Sequence, residues 1–572
     1  MSNISTRFWD FIFNGKKLKV FIFVFSGAFI LRLPTVFIDF VHIDVITTYL
    51  LVKKDLAGLF FKPNKGILYH EIYKFCVEYL ADTPKSFHFA GIVIILLTML
   101  FIYLLSKKIF NDRIGIVSAM LYGFIISSYN TEFLATNGEA VYNLFFIASF
   151  YFFYLVYFDK RYVFIIPLFL SITLGTFIKF QANYIIFFFI FYMLYIKPCY
   201  SIKSRPVLIK YLASVTAFFT VVLILLIIDW NYGRMFFPGS IEKTVEHIVS
   251  YVVAKGFSPV KIAGKLLWRS IQFILYHSLL WIPGIIAIIG YFKTKEKKEV
   301  HTYLVAITLF LFLTIFLSGS RLYIHYFITV MPTLAILASS EIYKRAGSEK
   351  FKKIAFRVFL IPVIFFMVWN FRDAYIANFA PQMRHNESKA VYFSRLILMG
   401  QYGEHIVPHG SILEVVKFLK EKTDVNEKIF TWPIGNEVSF FSKRMSATPN
   451  YWYNEKSLYG IVSKEKGDMK TFNEIQTYLI DQLRKSKTDY FVDVSLTSMF
   501  RKTLIYKKKD DPLFYFDLNT MPIIRFGSFG GLHNYPRLMK HIDRNYIFLG
   551  FFGKARVWKR VERKKRKIGK NK

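Results

Sequence analysis

The stretch FIDFVHIDV, Phe37 to Val45, sets Asp39 and Asp44 directly after a long apolar run. A carboxylate at the end of a membrane span can serve as a general base or hold a divalent cation; it can equally mark the water interface, where acids cost little. A second pair, Glu132 and Glu139, lies in YNTEFLATNGEA, with ordinary loop polarity as the competing reading. The bases that could answer these acids are Lys65 in KPNKGILYH, Lys179 in TFIKFQAN, and Arg321 with His325 in SGSRLYIHYF. Lys179 and Arg321 each close an apolar run with few competing charges nearby, which suits a phosphate or pyrophosphate held at membrane depth. Snorkelling of a long basic side chain to the interface is the plainer alternative. His405 and His409 have i, i+4 spacing, but Pro408 between them opposes a regular helix presenting both to a metal. No Walker loop, HExxH, paired CxxC or GxGxxG is present, which disfavours ATP-driven transport by this chain alone.

These residues must be positioned by spans. The chain has 572 residues, 54% hydrophobic and 19% aromatic, and its apolar runs approach bilayer length. The first, Val20 to Ile38, follows Lys16, Lys17 and Lys19 like a signal sequence but is long and lacks a convincing small-x-small cleavage site, so it reads as a retained span. Further candidates are Phe87–Leu105, Ile114–Ser128, Val141–Phe158, Val163–Ile178, Ala182–Ile196, Tyr211–Ile228, Ile271–Tyr291, Tyr303–Leu317, Leu322–Ser339 and Ile354–Trp369. The expectation is an α-helical polytopic membrane protein with about 11 transmembrane helices.

The net charge of +37 would suggest nucleic acid in a soluble chain. Here the Lys and Arg cluster between apolar runs, as the positive-inside rule expects of cytoplasmic loops. With the N-terminus cytoplasmic, the inner turns hold Lys107, Lys108 and Arg113, then Lys160 and Arg161, then Lys197 to Lys210, then Lys293 to Lys298, then Lys344 to Lys353. The polar groups listed first fall on the other side. Cys76 and Cys199 are placed on opposite faces, which opposes a disulfide between them. The large first outer loop, Asp39 to Ser86, has apolar spacing suited to short helices along the membrane surface.

From about Gly410 the pattern alternates: SILEVVKFLKEKT, KIFTW, NEIQTYLIDQLRKSK, DYFVDVS. It predicts a small soluble α/β domain, with residues 1–370 as membrane region and 371–572 as an extracytoplasmic domain. The final VWKRVERKKRKIGKNK reads as a solvated basic tail resting on anionic lipid, with no nucleic-acid partner.

Taken together the segments resemble the GT-C class of lipid-dependent glycosyltransferases, above all the prokaryotic protein mannosyltransferase and aminoarabinose transferase type. HIDVITTYLLVKKDLAGLFFKPNKGILYHEIYKF looks like that family's first outer loop, with Asp44 at its Asp and Lys65 at its Lys-Pro-Pro turn; Gly66 and Ile67 replace the two prolines and Val45 the second acid. ATNGEAVYNLFFIASFYFFYL is similar around Glu139, LSITLGTFIKFQANYII around Thr176 and Lys179, and SRLYIHYFITVMPTLAILA through Pro332. The resemblance implies a GT-C bundle that transfers a sugar from a polyprenyl-phosphate donor, undecaprenyl or dolichyl, to a glycan, lipid or protein acceptor of the cell envelope, in the plasma (inner) membrane. It implies Asp44 as catalytic carboxylate and sole candidate for a Mg or Mn ion, Lys65, Lys179, Arg321 and His325 on the donor phosphate, and Glu139 and Glu132 toward acceptor or sugar hydroxyls. A transporter or flippase of lipid-linked glycans is the rival reading.

Overall fold

The computed structural model describes residues 2–37, 45, 48–49, 52, 66–128, 131–179, 184–202, 204–213, 216–217, 220, 259–317, 324–379, 410–432, 436–444, 468–494, 532, 535–552 and 555–561. It separates into two compact units: Met1–Asp39 with Ala57–Ala374, and Phe40–Leu56 with Tyr375–Lys572.

The first unit is helical. In chain order it contains α1 (Ser2–Asn14), α2 (Lys17–Arg32), α3 (Ile67–Phe75), α4 (Pro84–Ile109), α5 (Asp112–Ser128), the single turn α6 (Thr131–Leu134), α7 (Gly138–Tyr157), α8 (Ile165–Ile178), α9 (Tyr184–Ser201), α10 (Pro259–Lys293), α11 (Glu299–Leu317), α12 (Met331–Lys344) and α13 (Glu349–Phe379). Lys17–Phe37, Pro84–Ile109, Gly138–Tyr157 and Tyr184–Ser201 are long and apolar enough to cross a membrane; Tyr162–Ile178, His277–Lys293 and Glu299–Ile315 are apolar but shorter. A described helix stands at each expected span except Tyr211–Ile228, most of which lies outside the described residues.

The reason these runs suit lipid shows in α4. Ile92, Ile95, Met99 and Ile102 are buried on one face, while Phe89, Val93 and Leu97 at i, i+4, i+8 are open on another. An apolar stripe on both faces is unfavourable in water and at home in hydrocarbon. α10 breaks at His277, whose backbone is non-helical (φ −131, ψ 32). Cys76 is buried, Cys199 exposed, and both are free thiols.

The second unit is a mixed α/β domain with α14 (Gly410–Lys422), β1 (Ile429–Trp432), α15 (Asn436–Ser442), α16 (Met469–Ser486), β2 (Tyr490–Asp493), α17 (Pro536–Asn545), β3 (Tyr546–Phe552) and β4 (Ala555–Arg560). The sheet order is β1-β2-β4-β3, with β1 and β2 parallel and the other pairs antiparallel. Alternation along β1 and β2 sends Phe430, Trp432 and Phe491 to a core with α16 and α17, and Ile429, Tyr490 and Val492 to a core with α14. α16 presents Phe472, Ile475, Leu479 and Leu483 to its core at helical spacing, begins with Asp468 accepting from the Thr471 amide (3.1 Å), and ends at Lys487 in the left-handed region (φ 51). Helical residues Val45, Thr48 and Val52 are buried, and Tyr49 meets Phe440 edge-on at 5.4 Å, so this part of the first outer loop packs as a helix within the second unit.

One expectation is overturned. The basic tail does not start at Val557: Val557 and Trp558 are buried in β4, the strand between β2 and β3. The flanking Arg556, Lys559 and Arg560 masked a strand whose apolar residues are held inside while the bases reach its margins.

Candidate active site

The site begins where α3 meets the end of α8. The Gly66 amide donates to the Ile178 carbonyl at 2.8 Å, and a Cβ at position 66 would overlap the Phe177 carbonyl oxygen. Only glycine allows that approach. Three residues on, the Tyr69 hydroxyl donates to the Thr136 carbonyl (3.1 Å), tying α3 to the turn that starts α7. Gly91 of α4 makes room for the other side of Thr136, whose Oγ1 would collide with any side chain there.

Asn137 then caps α7, its side-chain oxygen accepting from the Ala140 amide at 3.4 Å. Glu139 falls in the first helical turn, where the helix dipole favours a negative charge, and is only 3% exposed. Lys179 follows the last residue of α8 in extended conformation (φ −155, ψ 127), which turns its side chain out of the helix. Its stem passes Gly138, and its ammonium donates to Glu139 Oε1 in a short ion pair. The same ammonium lies 5.9 Å from the Tyr142 ring centre and 5.7 Å from that of Tyr326. His325 Nε2 stands 3.7 Å from the same carboxylate oxygen, on the turn Ile324–Thr329. Asn143 locks that turn to α7 by donating to the Ile328 carbonyl at 2.7 Å.

Glu139, Lys179 and His325 are therefore one buried cluster, drawn from α7, the end of α8 and the turn before α12. Separately, each has a bland explanation; together they form an acid between two bases, enclosed by phenol rings. Burial of an unpaired charge is costly, so removing either member would leave the other without its counter-charge. An arriving anion could replace Glu139 on Lys179, and the freed carboxylate could then accept a hydroxyl. Glu132 belongs to α6, with no side-chain placement described, while Asp39, Asp44, Lys65, Arg321, His405 and His409 lie outside the described residues. Among the described residues no group of three or more His, Cys, Asp or Glu could hold a metal ion, and Asp44, the residue expected to hold a divalent cation if one binds, lies outside them.

Arg32 escaped the sequence reading. It is buried at the end of α2 and donates to the carbonyls of Ile126 (3.0 Å), Phe133 (3.2 Å) and Leu134 (2.8 Å), satisfying the ends of α5 and α6 just before Glu139. The available signal was an arginine inside an apolar run, which lipid does not tolerate without a reason.

Residues 66–227 match the family model described as dolichyl-phosphate-mannose-protein mannosyltransferase. This segment of the chain is similar to that family. The matched segment contains Glu139 and Lys179; Asp44 and Lys65 precede it and His325 follows it. No curated protein matches the chain. Among solved structures, the apo oligosaccharyltransferase of Archaeoglobus fulgidus is 12% identical with a TM-score of 0.47, over 86% of this chain and 71% of its own. ArnT from Cupriavidus metallidurans bound to undecaprenyl phosphate is 11% identical with a TM-score of 0.47, over 96% of this chain and 98% of its own. Within the matched segment, the Glu139–Lys179 pair is a buried acid–base contact that joins α7 to the end of α8.

Proposed function

We propose that the protein transfers a sugar from a polyprenyl-phosphate donor to a hydroxyl-bearing acceptor, glycan, lipid or protein, on the extracytoplasmic face. The observation that carries this reading is the buried Glu139–Lys179 pair, inside a segment that matches the family model of a dolichyl-phosphate-mannose-protein mannosyltransferase, with His325 brought beside it from outside that segment. As the bond from the anomeric carbon to the phosphate oxygen breaks, negative charge grows on the leaving phosphate, and a fixed cation there lowers the barrier most. Lys179 supplies that cation, exchanging Glu139 for phosphate, with His325 as a second donor and Lys65 and Arg321 completing the phosphate site. Glu139, once released, accepts from a sugar or acceptor hydroxyl, with Glu132 in the same role. Asp44 takes the acceptor proton as the oxygen attacks the anomeric carbon from the opposite face. No step is routed through a metal.

The test is reconstitution with a labelled polyprenyl-phosphate sugar. Release of free carrier phosphate with label on the acceptor is expected. Movement of intact donor between leaflets without cleavage would replace this reading by that of a flippase. Asp44→Asn should abolish transfer with expression unchanged, and normal turnover in that variant would remove Asp44 from its role.

A further inference from the structure

The second unit has an unusual edge. β1 and β2 are almost wholly buried, whereas in β3 Ile547, Phe548, Leu549 and Phe551 are 59, 46, 42 and 61% exposed. Among the described strands β3 pairs with β4 alone and ends the sheet order, so its second edge has no described strand partner. Successive strand residues point to opposite faces, and the register changes between Phe548 and Gly550, where Gly550 takes φ 142. The outcome is a ribbon whose middle residues, Ile547, Phe548, Leu549 and Phe551, are open, while Tyr546 and Phe552 at its ends pack into the domain's two cores. A long hydrophobic edge of this kind invites association and is normally charged or covered.

Basic side chains flank the ribbon. Lys559 faces Ile547 across the ladder with its side chain 51% exposed, and Arg560 faces Tyr546. Each also has an acid partner, Glu427 at 3.8 Å from Lys559 and Asp489 at 3.4 Å from Arg560, so the larger uncompensated charge is that of the segment that follows. In sequence the strand pair leads directly into Arg563, Lys564, Lys565, Arg566 and Lys567, with Glu562 as the one nearby acid. Exposed aromatics beside clustered bases are the chemistry of an anionic membrane interface.

We propose that β3 and its hairpin to β4 form a lipid-docking edge, resting at headgroup depth on an anionic bilayer with Phe548 and Phe551 as aromatic anchors. Headgroup depth follows from that second edge, since backbone groups with no strand partner would be left unsatisfied in hydrocarbon but find water and headgroups at the interface. A peptide added to this edge would need pockets for alternate side chains; β3 instead offers projecting rings.

The experiment uses the full chain reconstituted in phosphatidylcholine vesicles with and without phosphatidylglycerol. The photo-crosslinking residue p-benzoylphenylalanine replaces Phe548, Phe551 or, as a control, Val425, which is 57% exposed. Lipid adducts are expected at positions 548 and 551 and not at 425, rising at least about fivefold with the anionic lipid, the effect of roughly one basic residue near such a surface. Crosslinks to a second copy or to an acceptor polypeptide, or no adduct at either aromatic position, would overturn the proposal. Equal yields in the two vesicle types, or at the control position, would overturn it as well. Both substituted positions are exposed aromatics, so the exchange leaves the buried cores intact; a sugar-transfer defect elsewhere in the chain does not affect this readout.

Discussion

Two buried ion pairs in this protein look alike and are built differently. Asp493 and Arg556 are register partners on neighbouring strands, and Arg556 reaches the carboxylate through both Nε (3.0 Å) and a terminal nitrogen. Glu139 and Lys179 have no ladder between them. They meet because one begins a helix, the other follows the end of another, and α3 is bonded to both places, through Gly66 to Ile178 and through Tyr69 to Thr136. The first pair is fixed by strand register whatever its chemistry; the second has no register between its members, and ammonium, carboxylate and neighbouring rings make the contact itself. A pair set by backbone register belongs to architecture, and a pair set only by side chains can change partners.

The sharpest way to break that contrast is Glu139→Ala, which leaves the Lys179 ammonium buried and unpaired. A loss of about 3–5 kcal/mol is expected in thermal or denaturant unfolding of the reconstituted protein, together with loss of transfer. Glu139→Gln combined with Lys179→Met should regain much of the stability and none of the turnover. A double variant with normal turnover would sink the partner-exchange role. Next in size is Arg32→Met. Three carbonyls lose a charged donor, which costs about 2–4 kcal/mol, and turnover should fall further than donor affinity if the turn carrying Glu139 loses its position. Asp493→Asn is smaller, about 1–2 kcal/mol, because the Arg556 side chain is 21% exposed and can find water. Hydrogen exchange in β2 and β4 would register it, and transfer should be unchanged; a loss of transfer equal to that of Glu139→Gln would erase the distinction.

The smallest effect concerns pH. Burial, assisted by the nearby Arg484, lowers the pKa of His541 below its ordinary value of 6.5. The unfolded chain therefore binds the proton more readily than the folded one, so this contribution is fully present above pH 6.5 and is lost as pH falls toward the depressed folded value. Protection of the α17–β3 amides, corrected for intrinsic exchange rate, should decline over that interval in the parent and stay flatter in His541→Gln.

Much of this was legible in the residue order. Apolar run lengths gave the bundle, alternation gave α14, β1, α16 and β2, and an isolated lysine and acid at span ends anticipated Lys179 and Glu139, with His325 beside them. Arg32 was missed because its partners are main-chain carbonyls, which have no residue type to read. β4 was missed because five of the eight residues in VWKRVERK are charged or basic, so its two buried side chains hardly altered the local average. Both failures have one cause: composition reports side chains, while these positions are decided by what the backbone offers nearby.

The contact of Gly66 with Ile178 also bears on how the protein is made. Residue 66 leaves the ribosome first, and its partner emerges only after α4, α5 and α7 have been delivered to the bilayer. Gly66 must therefore wait, unlatched, through those insertion events, and the Glu139–Lys179 pair can form only when the end of α8 arrives. A slow step late in biogenesis, sensitive to any side chain added at position 66, is the natural result.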